Sequence, residues 1–229
     1  MLFLKKWENL PESLRNDEVR YYYDKLKEKK VTLFLKRAFD IIFSLVLLIL
    51  LLPLFFVVAI MVKSTSKGPI FYLQERVTTF GRTFKIIKFR TMVVNADKTG
   101  SLVTTDNDIR VTKVGKKLRK LRLDEIPQLI NILMGDMSFV GTRPEVLKYV
   151  DHYQDYMLAT LLMPAGVTSL ASIAFKDEEK LLKDAKNVDE VYVKDVLPQK
   201  MKYNIEYMEK FNLFYDLKIM IKTVFAVNS

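Results

Sequence analysis

Between Asp40 and Lys63 the chain runs for 22 residues, Ile41–Val62, without a charged side chain, and only Ser44 and Pro53 interrupt the apolar composition. At 1.5 Å per residue a straight helix of that length reaches ~33 Å, against ~30 Å for the hydrocarbon core of a bilayer. Soluble helices are seldom apolar on every face over such a length. The run therefore reads as a membrane segment, with a buried core helix as the alternative. It stands too far along the chain, and lacks a small-residue cleavage site, to read as a signal peptide.

The flanks constrain how such a segment would sit. Lys25, Lys27, Lys29, Lys30, Lys36 and Arg37 precede it, and Lys63, Lys67, Arg76 and Arg82 follow it. A single crossing carries its Lys/Arg excess on the cytoplasmic side only, whereas here both flanks are basic. A helix that enters, bends and returns satisfies both. Pro53, near the middle, removes one backbone hydrogen bond and is the expected break, leaving carbonyls near Ile49 and Leu50 without partners. A kinked spanning helix is the competing reading.

Of the 37 Lys and Arg residues, 27 lie in residues 1–150, against 15 acidic residues there, whereas residues 151–229 are slightly acidic. A basic part beside an apolar anchor suits anionic headgroups or phosphate-rich ligands; nucleic acid is the rival partner, but no nucleic-acid fold signature is present. The absence of cysteine excludes disulfides, thiolate catalysis and Cys-based metal sites, and the single His152 excludes a multi-histidine centre.

The pattern predicts an α-rich α/β protein in three parts: an amphipathic N-terminal extension over 1–35, a membrane helix over 36–66 and a domain with interfacial helices and a small β-hairpin over 67–229. Strands are expected over Ile70–Val77 and Arg82–Thr91, joined at Phe80-Gly81 as a hairpin. Alternation puts Lys88 and Arg90 on one face of the second strand, roughly 7 Å apart, a spacing suited to neighbouring phosphates or simply to a solvated edge. Asp97–Asp108 reads as a polar loop. Thr112–Arg122 is a basic amphipathic helix of the kind that lies in a membrane interface. Leu123-Asp124-Glu125-Ile126-Pro127-Gln128 follows. Pro127 suits a first helical turn, which puts Asp124 at or near an N-cap. Capping accounts for Asp124, but two adjacent carboxylates beside Arg119 and Arg122 also form a chemical site. There the helix dipole and the arginines would keep Asp124 ionised. A metal held by Asp124 and Glu125 through oxygen would be magnesium or manganese rather than zinc. Asp177-Glu178-Glu179 reads as a solvated acidic run.

Four segments taken together resemble the bacterial sugar transferase family, the small monotopic phosphoglycosyl transferases. They are Lys36-Arg37-Ala38-Phe39-Asp40, Lys88-Phe89-Arg90-Thr91-Met92, Leu123–Gln128, and Gly135-Asp136-Met137-Ser138-Phe139-Val140-Gly141-Thr142-Arg143-Pro144. The resemblance spans roughly Lys36 to Val224. It implies a monotopic protein with a re-entrant helix bent at Pro53, on the cytoplasmic face of the bacterial inner membrane. It also implies transfer of a phospho-sugar from a nucleotide diphosphate sugar, such as a UDP-sugar, to undecaprenyl phosphate. Asp124 would be the nucleophile, with Glu125 on the metal (Mg²⁺, or Mn²⁺) or the acceptor proton, and Lys88, Arg90, Arg119 and Arg143 on phosphate. A rigid turn is the competing reading of Arg143. The sequence departs from many relatives in reading Leu52-Pro53 for Ser-Pro, Gly141-Thr142-Arg143-Pro144 for Gly-Pro-Arg-Pro, and Met163-Pro164-Ala165-Gly166 for Arg-Pro-Gly-Ile. The reading from another class is a non-catalytic, membrane-tethered basic protein that binds anionic lipid or nucleic acid.

Overall fold

The computed structural model describes residues 4–96, 108–182 and 187–228; the polar loop expected over Asp97–Asp108 lies, apart from Asp108, outside them. Helix α1 (Asp17–Glu28) is capped by the Asn16 side chain, which accepts from Val19 N at 2.8 Å. It brings Val19, Tyr22, Tyr23 and Leu26 into the main hydrophobic core, where the N-terminal residues share one cluster with the rest of the chain. Trp7 meets Tyr23 edge-on, and the Arg20 guanidinium lies 4.7 Å from the Trp7 ring.

Helix α2 (Lys30–Leu50) is charged in its first half and apolar in its second. Helix α3 (Leu52–Thr65) follows after one residue, with the direction changed by 64°. No single helix among the described residues is long and apolar enough to cross a membrane. The break falls at Leu51 rather than at Pro53. Pro53 occupies the first turn of α3, where an N–H has no helical acceptor to lose. One side of the pair packs on the domain through Val58 and Val62, against Phe89 and Leu118. On the other side Ile42, Ile49, Leu50, Phe56 and Ile60 remain 61–68% exposed.

The first half of α2 fastens the pair to the domain with buried polar groups. Lys36 Nζ donates to Asp216 Oδ2 at 2.6 Å and to Val140 O at 2.8 Å. Four residues on, one turn further along the same face, Asp40 Oδ1 accepts from Ser138 Oγ at 3.0 Å and Phe139 N at 3.2 Å. Arg37 donates to the Ile132 and Leu133 carbonyls, which lie in the last turn of α5 (Gln128–Met134).

Strands β1 (Phe71–Val77) and β2 (Thr83–Phe89) form the expected antiparallel hairpin, Phe71 opposite Phe89 and Val77 opposite Thr83. Phe80 (φ 60°) and Gly81 (φ 74°) make its turn. Helix α4 (Lys113–Lys120) is capped by Thr112, whose hydroxyl accepts from Gly115 N. Asn131 of α5 treats β2 as a strand partner: Ile87 N donates to its Oδ1 and its Nδ2 donates to Lys85 O, both at 2.9 Å.

A short parallel pair, β3 (Met137–Val140) with β4 (Ala165–Thr168), completes the centre. It closes where Gly141 meets Gly166, since a Cβ on Gly166 would stand 2.2 Å from Gly141 N. Gly166→Ala is thus expected to destabilise the fold by ~1–3 kcal/mol through forced separation of the strands. An unchanged melting temperature would show that the strands part freely. Tyr207 of α6 (Leu197–Lys210) donates to Val140 O, and helix α7 (Leu213–Asn228) packs on both strands.

Candidate active site

Asp124 and Glu125 fall in a single 3₁₀ turn, Leu123–Glu125, between the basic helix α4 and α5. Arg122, in the left-handed region at φ 55°, swings the chain off α4 into that turn. The expected capping role is not what the geometry gives. Helix α5 starts at Gln128, the cap position is Pro127, and no side chain caps it. The Asp124 carboxylate is instead buried, at 7% exposure, with Oδ1 lacking a hydrogen-bond partner. Burial and then repulsion from Glu125 push its carboxyl up from the ordinary value, outweighing the pull of Lys88, Arg119 and Arg122. The pull of the arginines expected from the sequence is present, but burial opposes it by taking water from the carboxylate.

Glu125 has the opposite balance. Arg143 Nη2 donates to its Oε1 at 2.6 Å and Lys88 Nζ to the same atom at 3.2 Å. Burial raises this carboxyl, but Arg143 and Lys88 together hold it well below the usual carboxylate range. Lys88 is lowered by burial, with Glu125 opposing. Two adjacent carboxylates are thus pushed apart in acidity, Glu125 held as an anion between two cations and Asp124 raised by burial.

A cleft of about 1420 Å³ covers the turn. Lys88, Arg90, Arg119, Asp124, Glu125 and Arg143 all line it, although Arg90 donates to Ser66 rather than to the carboxylate pair. The structure thus gathers sequence-distant residues: β2 supplies Lys88, α4 supplies Arg119, and the loop after β3 supplies Arg143. Among the described residues no group of three or more His, Cys, Asp or Glu gathers as for a protein-only metal cage.

The sequence reading missed the support behind Arg143. Two residues on, Glu145 is buried and accepts from Tyr192 Oη at 2.5 Å and Lys200 Nζ at 3.3 Å, with Arg76 at 3.8 Å. Arg76 also donates to Pro144 O, and Val77 N to Glu145 O. The Thr142–Glu145 loop is therefore pinned at backbone and side chain. Lys200 further pairs with Glu178 at 3.0 Å, so the acidic run read as solvated supplies an ion pair at the cleft wall. Nothing in local periodicity links Glu145 to Lys200; a carboxylate directly after Arg143-Pro144 was the only hint.

Residues 31–229 match the family model for the bacterial sugar transferases. The chain belongs to that family. A UDP-glucose:undecaprenyl-phosphate glucose-1-phosphate transferase of Klebsiella pneumoniae is 38% identical over 200 residues, covering 85% of this chain and 40% of that protein. A UDP-N-acetylgalactosamine-undecaprenyl-phosphate N-acetylgalactosaminephosphotransferase of Aeromonas hydrophila is 35% identical over 195 residues, covering 83% and 43%. The exopolysaccharide production protein ExoY of Sinorhizobium fredii is 35% identical over 207 residues, covering 84% of each. The chain thus spans about two-fifths of the length of the first two relatives. As in the sugar transferase family model, the match begins within α2, so residues 4–30, docked into the same core, lie outside it.

If Arg143 stabilises developing charge in this cleft, Arg143→Ala is expected to lower kcat by about 10²–10³, the usual scale for losing one aligned charge-stabilising donor. The variant also leaves Glu125 with Lys88 alone. Because Glu125 is depressed in the fold, its ion pairing stabilises fully above the unfolded carboxyl value of ~4.3 and is lost as pH falls below that. The gap in melting temperature between parent and variant should therefore be largest near neutrality and shrink below about pH 4. A gap that widens in acid would contradict the pairing.

Proposed function

We propose that this protein transfers a sugar 1-phosphate from a UDP-sugar to undecaprenyl phosphate, releasing UMP and starting glycan assembly at the cytoplasmic face of the bacterial inner membrane. The observation that carries the reading is Asp124: a buried, unpartnered carboxylate oxygen in a cleft walled by Lys88, Arg119 and Arg143. The names of the relatives, one for glucose and one for N-acetylgalactosamine, support a UDP-sugar as the donor.

In this reading an Asp124 oxygen attacks the phosphorus that bears the sugar. An acyl-phosphate bond forms as the bond to the α-phosphate oxygen breaks, and UMP leaves with the electron pair. An oxygen of the lipid phosphate then attacks the same phosphorus. The aspartyl bond breaks, the carboxylate is restored, and the lipid diphosphate sugar departs. One carboxylate thus serves a soluble and a membrane substrate in turn. Glu125 keeps Lys88 and Arg143 oriented toward the charge that moves between these oxygens. The donor set also fits a hard divalent cation completed by substrate phosphate oxygens, since the Asp124 oxygen has no other partner. Asp124 and Glu125 would hold Mg²⁺ or Mn²⁺, which would offset the diphosphate charge.

The exposed apolar side of α2 and α3 and the basic residues on both flanks support insertion of the bent pair into one leaflet, with both ends cytoplasmic. The protein contains no cysteine, so single cysteines at Asn9 and Thr99 should resist a membrane-impermeant thiol reagent until cells are opened. Labelling of Asn9 from outside would establish a spanning helix instead. The reaction itself is tested by mixing the protein with a panel of UDP-sugars and undecaprenyl phosphate. Lipid-dependent release of UMP is expected; binding without turnover across the panel would favour a non-catalytic tether.

A further inference from the structure

Two residues beyond Lys88, Arg90 lines the same cleft in different surroundings. It is 5% exposed. Its Nη2 donates to Ser66 O and to Ser66 Oγ, both at 2.8 Å, while Nε and Nη1 are buried with no hydrogen-bond partner. Gly68 makes the space for this side chain: at φ +124° it carries no Cβ, and one placed there would stand 2.2 Å from Arg90 Nη1. The backbone is held as well, Arg90 N donating to Ile70 O at 2.9 Å. The two lysines buried as deeply, Lys36 and Lys200, each face a carboxylate at 3.3 Å or less. Among the described residues Arg90 has none. A buried guanidinium without a counter-charge is costly, and a fixed one at the wall of a cleft, with N–H groups still unbonded, is organised for an anion. Arginine's planar fork suits phosphate oxygens in particular.

We infer that Arg90 receives the phosphate group of the acceptor lipid, while Lys88 and Arg143 serve the donor's diphosphate. The assignment rests on the transfer reaction proposed above. Its position favours the acceptor. Arg90 grips Ser66, the residue directly after α3, so its guanidinium lies where the apolar bent pair rejoins the domain. The same cleft is walled by Leu47, Leu51, Phe71 and Phe89, apolar surface that matches an isoprenoid chain and offers no hydrogen bond to a nucleotide's phosphates or ribose. Lys88, by contrast, is drawn to Glu125 beside Asp124. The two side chains part, Lys88 to Glu125 and Arg90 to Ser66, so a phosphate at Arg90 is a neighbour of the reacting centre rather than the group being transferred. Free inorganic phosphate shares the chemistry and is the other possible source.

The test separates the two half-reactions. In Arg90→Gln the KM for undecaprenyl phosphate should rise at least tenfold, with that for the UDP-sugar changed less than twofold. Exchange of labelled UMP into UDP-sugar without lipid should persist within threefold of the parent. Arg90→Lys keeps the charge but loses the fork, and should give an intermediate KM for the lipid. A parallel rise in both KM values, or loss of exchange, overturns the assignment. The parent protein supplies an arm that does not depend on folding of either variant. Inorganic phosphate should inhibit it competitively against the lipid and not against the UDP-sugar. Competition with the UDP-sugar alone, or inhibition that saturating lipid leaves unchanged, overturns the assignment too, the latter marking a free-phosphate site. A parent that shows neither exchange nor turnover would instead defeat the transfer reaction itself.

Discussion

Asp124→Asn is expected to abolish turnover while leaving the fold at least as stable as the parent. The substitution keeps size and shape but removes the attacking anion. If the reaction passes through an aspartyl phosphosugar, no neighbour can replace it, because Glu125 is already bound to Arg143 and Lys88. Stability should move the other way. The Asp124 carboxylate is buried, its Oδ1 has no partner, and Glu125 repels it, so its acidity is weakened in the fold. A carboxyl raised in the folded state binds its proton more tightly there than when unfolded. Its contribution to stability is therefore unfavourable once pH exceeds the unfolded value of ~3.9. A neutral amide escapes that penalty. Parallel assays of UMP release and thermal unfolding at pH 7 decide the matter. Activity above a few per cent would defeat the nucleophile, and a large fall in melting temperature would mean that Asp124 is structural after all. Incubation of the parent with radiolabelled UDP-sugar and no lipid should leave label on Asp124.

Lys36→Met should cost ~3–5 kcal/mol of stability, the scale for breaking one side of a buried ion pair. Asp216 would keep Tyr207 Oη at 2.8 Å but lose its cation, and the Val140 carbonyl would lose a donor. The double variant Lys36→Met with Asp216→Leu should recover most of the loss, because a buried pair exchanged for apolar groups is often neutral. Denaturation in detergent micelles gives both values. A single-variant loss below about 1 kcal/mol would show that the pair is not shielded as its burial indicates. The consequence reaches function, since Lys36, Arg37 and Asp40 fix α2 to β3 and α5, and so set where the bent pair leaves the domain.

Much of this was legible in the chain. The apolar run, the break within a residue or two of Pro53, the hairpin, the basic helix before Asp124 and the family itself follow from short-range pattern. Periodicity, proline and unbroken hydrophobicity act within a turn or a strand, and nothing distant can mask them. Family motifs are likewise local strings. The same locality explains the errors. Asp124 before Pro127 looks like a helix cap when only neighbours are considered, yet α5 starts later and the carboxylate is buried under groups that come from elsewhere.

Which cation serves which anion was settled by packing between segments far apart in the chain. Arg90 and Lys88 read as one pair on one strand face, but Lys88 turns to Glu125 and Arg90 to Ser66, because α3 and the 3₁₀ turn pack at different points along β2. The Glu145–Lys200 contact joins positions 55 residues apart, and Lys36–Asp216 joins positions 180 apart. A charged side chain carries no local mark of its partner. Local pattern in the chain was enough for the elements and for the chemical types available to the site. Burial, which removes water and makes each unpaired charge costly, selected the pairs, and among the described residues it left Asp124 and Arg90, with Asp40, Gln128 and Asn204, holding polar atoms whose bonding capacity is still free.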